Sequence, residues 1–176
     1  MPRLFVAVWP PHDVLDRVAA LDRPPVAGLR WTTADQWHVT LRFLGPVADS
    51  VPVVAGLAGV SASPAAAAVL GPAVGRFGQR ILHLRVAGLD RLAGDVVRAT
   101  AHLGQPPDDR PFAGHLTLAR VAQAARVDLR PLTGQPVAAA WMVGEVCLVE
   151  SRLSSAGARY RVVERVPLAG SAPANR

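Results

Sequence analysis

Two histidines stand out by the company they keep. His38-Val39-Thr40-Leu41 and His115-Leu116-Thr117-Leu118 repeat one pattern 77 positions apart. An imidazole gives or takes a proton near neutral pH, and a hydroxyl two residues along the same strand can hydrogen-bond an oxygen held beside it. Two such strands facing each other would clamp a phosphoryl group. One imidazole would activate water for in-line attack while the other protonates the leaving oxygen, with the threonines and an arginine stabilising the equatorial charge. That chemistry needs no metal. With six Thr in 176 residues and 51% hydrophobic content, two of five histidines opening His-apolar-Thr-apolar is a roughly one-in-a-thousand coincidence on a motif-counting basis.

These residues need strands to align them. Side chains alternate between the faces of a strand, so in Trp37 to Leu44 (WHVTLRFL) His38, Thr40 and Arg42 share one face while Val39, Leu41 and Phe43 share the other. Arg42 is thereby a candidate phosphate ligand and Phe43 a core residue. Phe112 to Val121 (FAGHLTLARV) repeats the arrangement for His115 and Thr117. Further strands are expected at Arg3 to Trp9, Leu29 to Thr32, Val69 to Phe77, Arg80 to Val86, Val137 to Glu150 and Arg159 to Val166. Helical spacing marks Asp13 to Leu21, Asp90 to Leu103 and, weakly, Val51 to Val60. Strands and helices alternate in two similar runs, each with one His-x-Thr strand, which predicts a pseudo-duplicated α+β fold. Residues 1–169 read as a single domain and 170–176 as a frayed tail.

Composition narrows the function. The basic side chains are 19 arginines and no lysine, against 13 acids, for a formal net charge of +6. The excess favours an anionic partner. Without lysine there is no Walker-type phosphate loop, no pyridoxal Schiff base and no lysyl-nucleotide intermediate. Gly-x-Ser-x-Gly, His-Glu-x-x-His and calcium-loop patterns are also missing from the sequence. The lone Cys147 reads as a buried thiol. No apolar stretch approaches the roughly 20 residues of a membrane span, and a cytoplasmic location is expected. Trp31 and Trp37 read as core or rim rather than as base-stacking platforms, and His12, His83 and His102, which lack a matching Thr, as structural or exposed. No zinc site is expected.

The motifs and their contexts resemble the two-histidine phosphoesterase superfamily, in its bacterial RNA 2′,3′-cyclic phosphodiesterase (ThpR/LigT) branch. The resemblance rests on RLFVAV at the start, HVTLRFLG, PFAGHLTLAR with Arg120, and the late LVESRLSSAGARY, and so spans most of the chain. It implies a bilobal α+β fold with antiparallel sheets, flanking helices and a central cleft. It also implies hydrolysis of a 2′,3′-cyclic phosphate to a 2′-phosphate without cofactor or metal, by a monomer acting on RNA ends or small cyclic nucleotides, with reversible 2′–5′ ligation in some relatives. By analogy His38 protonates the 3′ leaving oxygen and His115 activates water, although the sequence itself leaves both assignments of acid and base open; Thr40 and Thr117 hold phosphate oxygens, and Arg120 contacts the phosphate. Strict alternation places Arg120 on the face opposite His115, so the strand must end or twist there. Gly114 departs from the pattern, since many relatives have Pro before the second histidine. Glu150, Ser151 and Tyr160 belong to the family-like tail and can shape the cleft. An alternative from another class is a catalytically silent RNA-end-binding module; a third reading keeps the enzyme and changes the substrate to a small cyclic nucleotide or 2′–5′ linked RNA.

Overall fold

The computed structural model describes residues 2–154 and 157–171. The expectation for the last residues therefore falls, for 172–176, outside the described residues. Nine strands form one sheet: β1 (Arg3–Val8), β2 (Leu29–Trp31), β3 (Val39–Pro46), β4 (Ala66–Phe77), β5 (Ile81–Ala87), β6 (His115–Val121), β7 (Ala139–Val143), β8 (Glu145–Ser154) and β9 (Gly157–Pro167). Their order is β7-β4-β5-β6-β3-β1-β8-β9, with β2 paired to β6, and every ladder between them is antiparallel. The expected run Val137 to Glu150 is two strands, because the chain turns at Gly144 between β7 and β8.

Three short helices, α1 (His12–Ala19), α2 (Val51–Leu57) and α3 (Asp90–Ala99), cover one face of the sheet. Each is amphipathic. Val14 and Val18 of α1, Val53 and Leu57 of α2, and Leu92 and Val96 of α3 stand four residues apart and are buried in the main core, as the helical period requires. Pro10-Pro11 ends β1 and leads into α1, where Pro11 is the N-cap.

The other face carries a smaller cluster of Phe5, Ala7, Cys147 and Val149, with Trp9, Tyr160 and Val162 packed against it. The central strand β1 is therefore covered on both sides, which is why Leu4 to Val8 (LFVAV) is an unbroken apolar run. Burial pushes the Cys147 thiol up to about 12, so it is inert filler.

The fold is α+β and antiparallel, as expected. The lobes differ from two separate sheets: strands β7-β4-β5-β6 and β3-β1-β8-β9 are halves of one sheet, joined at β3 and β6 by the single bridged pair Val39↔Leu116.

Candidate active site

That sparse junction holds the two motifs. Continuing its antiparallel register sets His38 across from Thr117 and Thr40 across from His115, so each imidazole faces the other strand's hydroxyl. All four residues line one cavity of about 260 Å³, together with Phe5, Phe43, Arg30, Arg120, Ser151 and Tyr160 among others. No carboxylate lines it. Arg30 and Arg120 are cross-strand partners between β2 and β6, and two guanidiniums side by side raise the positive potential along that wall.

The rings are oriented identically. His38 Nδ1 lies 2.8 Å from the carbonyl of Gln36, and His115 Nδ1 lies 2.8 Å from the carbonyl of Ala113. A carbonyl only accepts, so each Nδ1 carries the hydrogen and each Nε2 is left to exchange protons. His38 is packed against Phe5 (ring centroids 4.9 Å apart), Trp9 (5.3 Å) and Tyr160 (5.0 Å). Burial there lowers its pKa to about 4, with Arg120 and His115 pushing the same way and the Gln36 carbonyl opposing them. Thr32 supports the other strand: its hydroxyl lies 2.8 Å from the carbonyls of Thr117 and of Leu118, and it accepts the indole N–H of Trp37 at 2.9 Å.

A β-bulge in each motif strand decides what else reaches the cavity. Along β1 and β3, Ala7 pairs with Thr40 but Val6 pairs with Arg42, leaving Leu41 unmatched. Along β5 and β6, His83 pairs with Thr117 but Leu82 pairs with Ala119, leaving Leu118 unmatched. The extra residue reverses the alternation beyond it. Two consecutive residues then point into the core, Leu41-Arg42 and Leu118-Ala119. The next residue, Phe43 or Arg120, returns to the face of the histidines.

Two expectations are thereby corrected. Arg42 is no phosphate ligand: it is buried and donates to the carbonyls of Val97 (3.2 Å), Leu103 (3.0 Å) and Gln105 (3.0 Å) and to the Thr100 hydroxyl (2.6 Å). It closes the C-terminal end of α3, where carbonyls lack helical partners and a cation is favoured. Phe43 is not core but 46% exposed and on the cavity wall. Arg120 does reach the cavity, by the departure from strict alternation that its position demanded.

Ser151 and Tyr160, cross-strand partners in β8 and β9, line the cavity, while Glu150 does not and instead pairs with Arg152 and Arg161. Trp37 is buried and Trp31 bonds the carbonyl of Pro24 at 2.9 Å; neither lines the cavity. His83 stands closer to the chemistry than its lack of a following Thr suggested, with its ring 5.9 Å from that of His115. Tyr160 was among the residues expected to shape the cleft, whereas the rest of the aromatic surround, Phe5, Trp9 and Phe77, escaped the sequence because its members meet only across strands. Among the described residues no three His, Cys, Asp or Glu side chains cluster as metal ligands would.

An antiparallel sheet presenting paired His-x-Thr strands in a cationic cavity defines a class, the two-histidine phosphoesterases. The family model of the 2′-5′ RNA ligase superfamily matches residues 8–154, and the chain belongs to that superfamily. It is 31% identical to the RNA 2′,3′-cyclic phosphodiesterase of Escherichia coli (strain K12) over 173 residues, covering 93% of this chain and 94% of that one. It is also 31% identical to the RNA 2′,3′-cyclic phosphodiesterase of Geobacillus stearothermophilus over 152 residues, 80% of this chain, and spans only 48% of that relative's length. Among solved structures, E. coli LigT complexed with 3′-AMP superposes with a TM-score of 0.76 at 28% identity, covering 96% of this chain and 99% of that one. TT0787 of Thermus thermophilus superposes at 0.75 and 27% identity, covering 94% and 97%.

Proposed function

We propose that this protein hydrolyses the 2′,3′-cyclic phosphate at the end of an RNA, or of a nucleoside, to a 2′-phosphate. The observation that carries this reading is the convergence of both imidazoles, both Thr hydroxyls and Arg120 on one cavity without a carboxylate. A phosphodiester anion suits that lining. Water attacks phosphorus in line with the P–O3′ bond, one imidazole taking its proton at Nε2, and O3′ leaves with a proton from the other. Thr40, Thr117 and Arg120 hold the non-bridging oxygens as charge builds on them. Burial leaves His38 neutral at pH 7, the state of a proton acceptor. That neutrality in the free protein supports the alternative to the assignment by analogy, with His38 activating water and His115 donating the proton. The cavity is complete within one chain, which supports action as a monomer. The single cysteine accords with a cytoplasmic setting, and among the described residues no helix is long and apolar enough to cross a membrane.

Turnover of adenosine 2′,3′-cyclic phosphate in the presence of EDTA tests the reading. Wild type should form the 2′-phosphate, and His38→Ala and His115→Ala should each lower the rate by roughly 10² to 10⁴. An inert wild type, or full activity in both variants, refutes it. Binding of the product without any turnover would favour the silent RNA-end-binding module.

A further inference from the structure

The reading above concerns one nucleotide, yet an RNA end continues from O5′, and the cavity is not closed on every side. Phe5 and Tyr160 wall it beside His38, and Gln36 donates to the carbonyl of Ala158 at 2.8 Å, tying the segment before His38 across to β9. On the side of β5, no residue of that strand is among those lining the cavity. There His83 and Arg85 are the cross-strand partners of Thr117 and His115, so they share the face of the motif. Phe77 lies flat on the His83 ring, with centroids 3.8 Å apart and planes 17° apart, and meets His115 edge-on at 4.9 Å. Phe77 nevertheless remains 40% exposed. Arg85, across from His115 and two residues along β5 from His83, is exposed, and no ion pair among the described residues involves it. A part-exposed aromatic ring against His83 and an exposed guanidinium across from His115, both on the side of the sheet that carries the motif, are the groups that would stack a base and hold a backbone phosphate.

We propose that Phe77, His83 and Arg85 form a second nucleotide subsite. Resting on the phosphodiesterase reading, it stacks the base of the nucleotide 5′ to the one bearing the cyclic phosphate, while Arg85 pairs with the phosphodiester joining them. The subsite accordingly makes an oligonucleotide end a better substrate than a free cyclic mononucleotide.

The test is a ratio. kcat/KM is measured for an adenine dinucleotide ending in a 2′,3′-cyclic phosphate and for adenosine 2′,3′-cyclic phosphate. Wild type should favour the dinucleotide by roughly ten-fold, the scale of one stacked base. Phe77→Leu and Arg85→Gln should each bring the ratio toward one, and Arg85→Gln should also flatten its dependence on salt. The ratio cancels the folded fraction, so lost stability does not mimic the effect. Equal rates on both substrates in wild type, or an unchanged ratio in both variants, overturns the subsite. Should wild type turn over neither substrate, it is the phosphodiesterase reading that fails. Calorimetry with the 2′-phosphorylated dinucleotide and mononucleotide then decides the subsite separately: a dinucleotide advantage lost in the variants sustains it, and equal affinities reject it.

Discussion

At the scale of single residues, His38 and Arg42 show how burial assigns roles that residue type does not. His38 is held near pKa 4 by its aromatic surround, whereas an unfolded histidine titrates near 6.5. Between those pH values the unfolded chain binds more protons, so stability contributed by neutral His38 is fully present above about pH 6.5 and is lost as pH falls toward 4. Urea midpoints at pH 7 and pH 5 should show wild type losing about 2 kcal/mol more than His38→Gln over that interval. The pH profile of kcat/KM carries the mechanistic counterpart. With His38 as proton acceptor, activity persists to about pH 5 before its acid limb; with His38 as donor, kcat/KM would already be falling as pH rises above 4. Arg42 lies outside this chemistry. Arg42→Ala should lower stability by about 3 kcal/mol, since it strips charged donors from buried carbonyls, and should leave kcat/KM per folded molecule unaltered.

At the scale of elements, the motif strands were legible because their first four residues obey strict alternation. The residues just beyond were not. A bulge is a two-against-one pairing, and neither strand announces its partner's count, so Phe43 and Arg42 exchanged faces. Arg120 was the exception: its family context conflicted with its parity, and a bulge at Leu118 resolves the conflict. His83 and Phe77 could be reached by no spacing rule, because they meet His115 from neighbouring strands. The turn into β6 carries its own constraint. The Gly114 carbonyl accepts from the N–H of Val86 at 2.9 Å, and a Cβ at Gly114 would stand 2.3 Å from the Val86 carbonyl oxygen. Gly114→Ala must therefore displace backbone next to Ala113, whose carbonyl aims the His115 ring. It should cost about 1 to 3 kcal/mol by overpacking and reduce kcat, read by thermal unfolding and by turnover on one preparation.

At the scale of the whole molecule, the recurrence of helices and strands in two runs foretold the duplication. Their fusion into one sheet could not be read from either run, since it depends on pairing between β3 and β6, residues far apart in the chain. With only Val39↔Leu116 bridged there, the two halves meet at the cavity with little hydrogen bonding of their own. A 2′-phosphate nucleotide gripped from both sides should act as the missing cross-link. Hydrogen exchange should slow in β3 and β6 together when it binds, and saturation at about 100 times Kd should add about 2.7 kcal/mol of stability; protection confined to one strand would contradict a shared grip. The 77-residue offset that relates His38 to His115 and Gln36 to Ala113 also relates Phe43 to Arg120, and there the likeness ends. The two motifs by themselves would accept a nucleotide equally well after a half-turn. With an aromatic ring at one end and a guanidinium at the other, a nucleotide held there should be rewarded in only one of the two poses, and the pseudo-two-fold acquires a direction of reading.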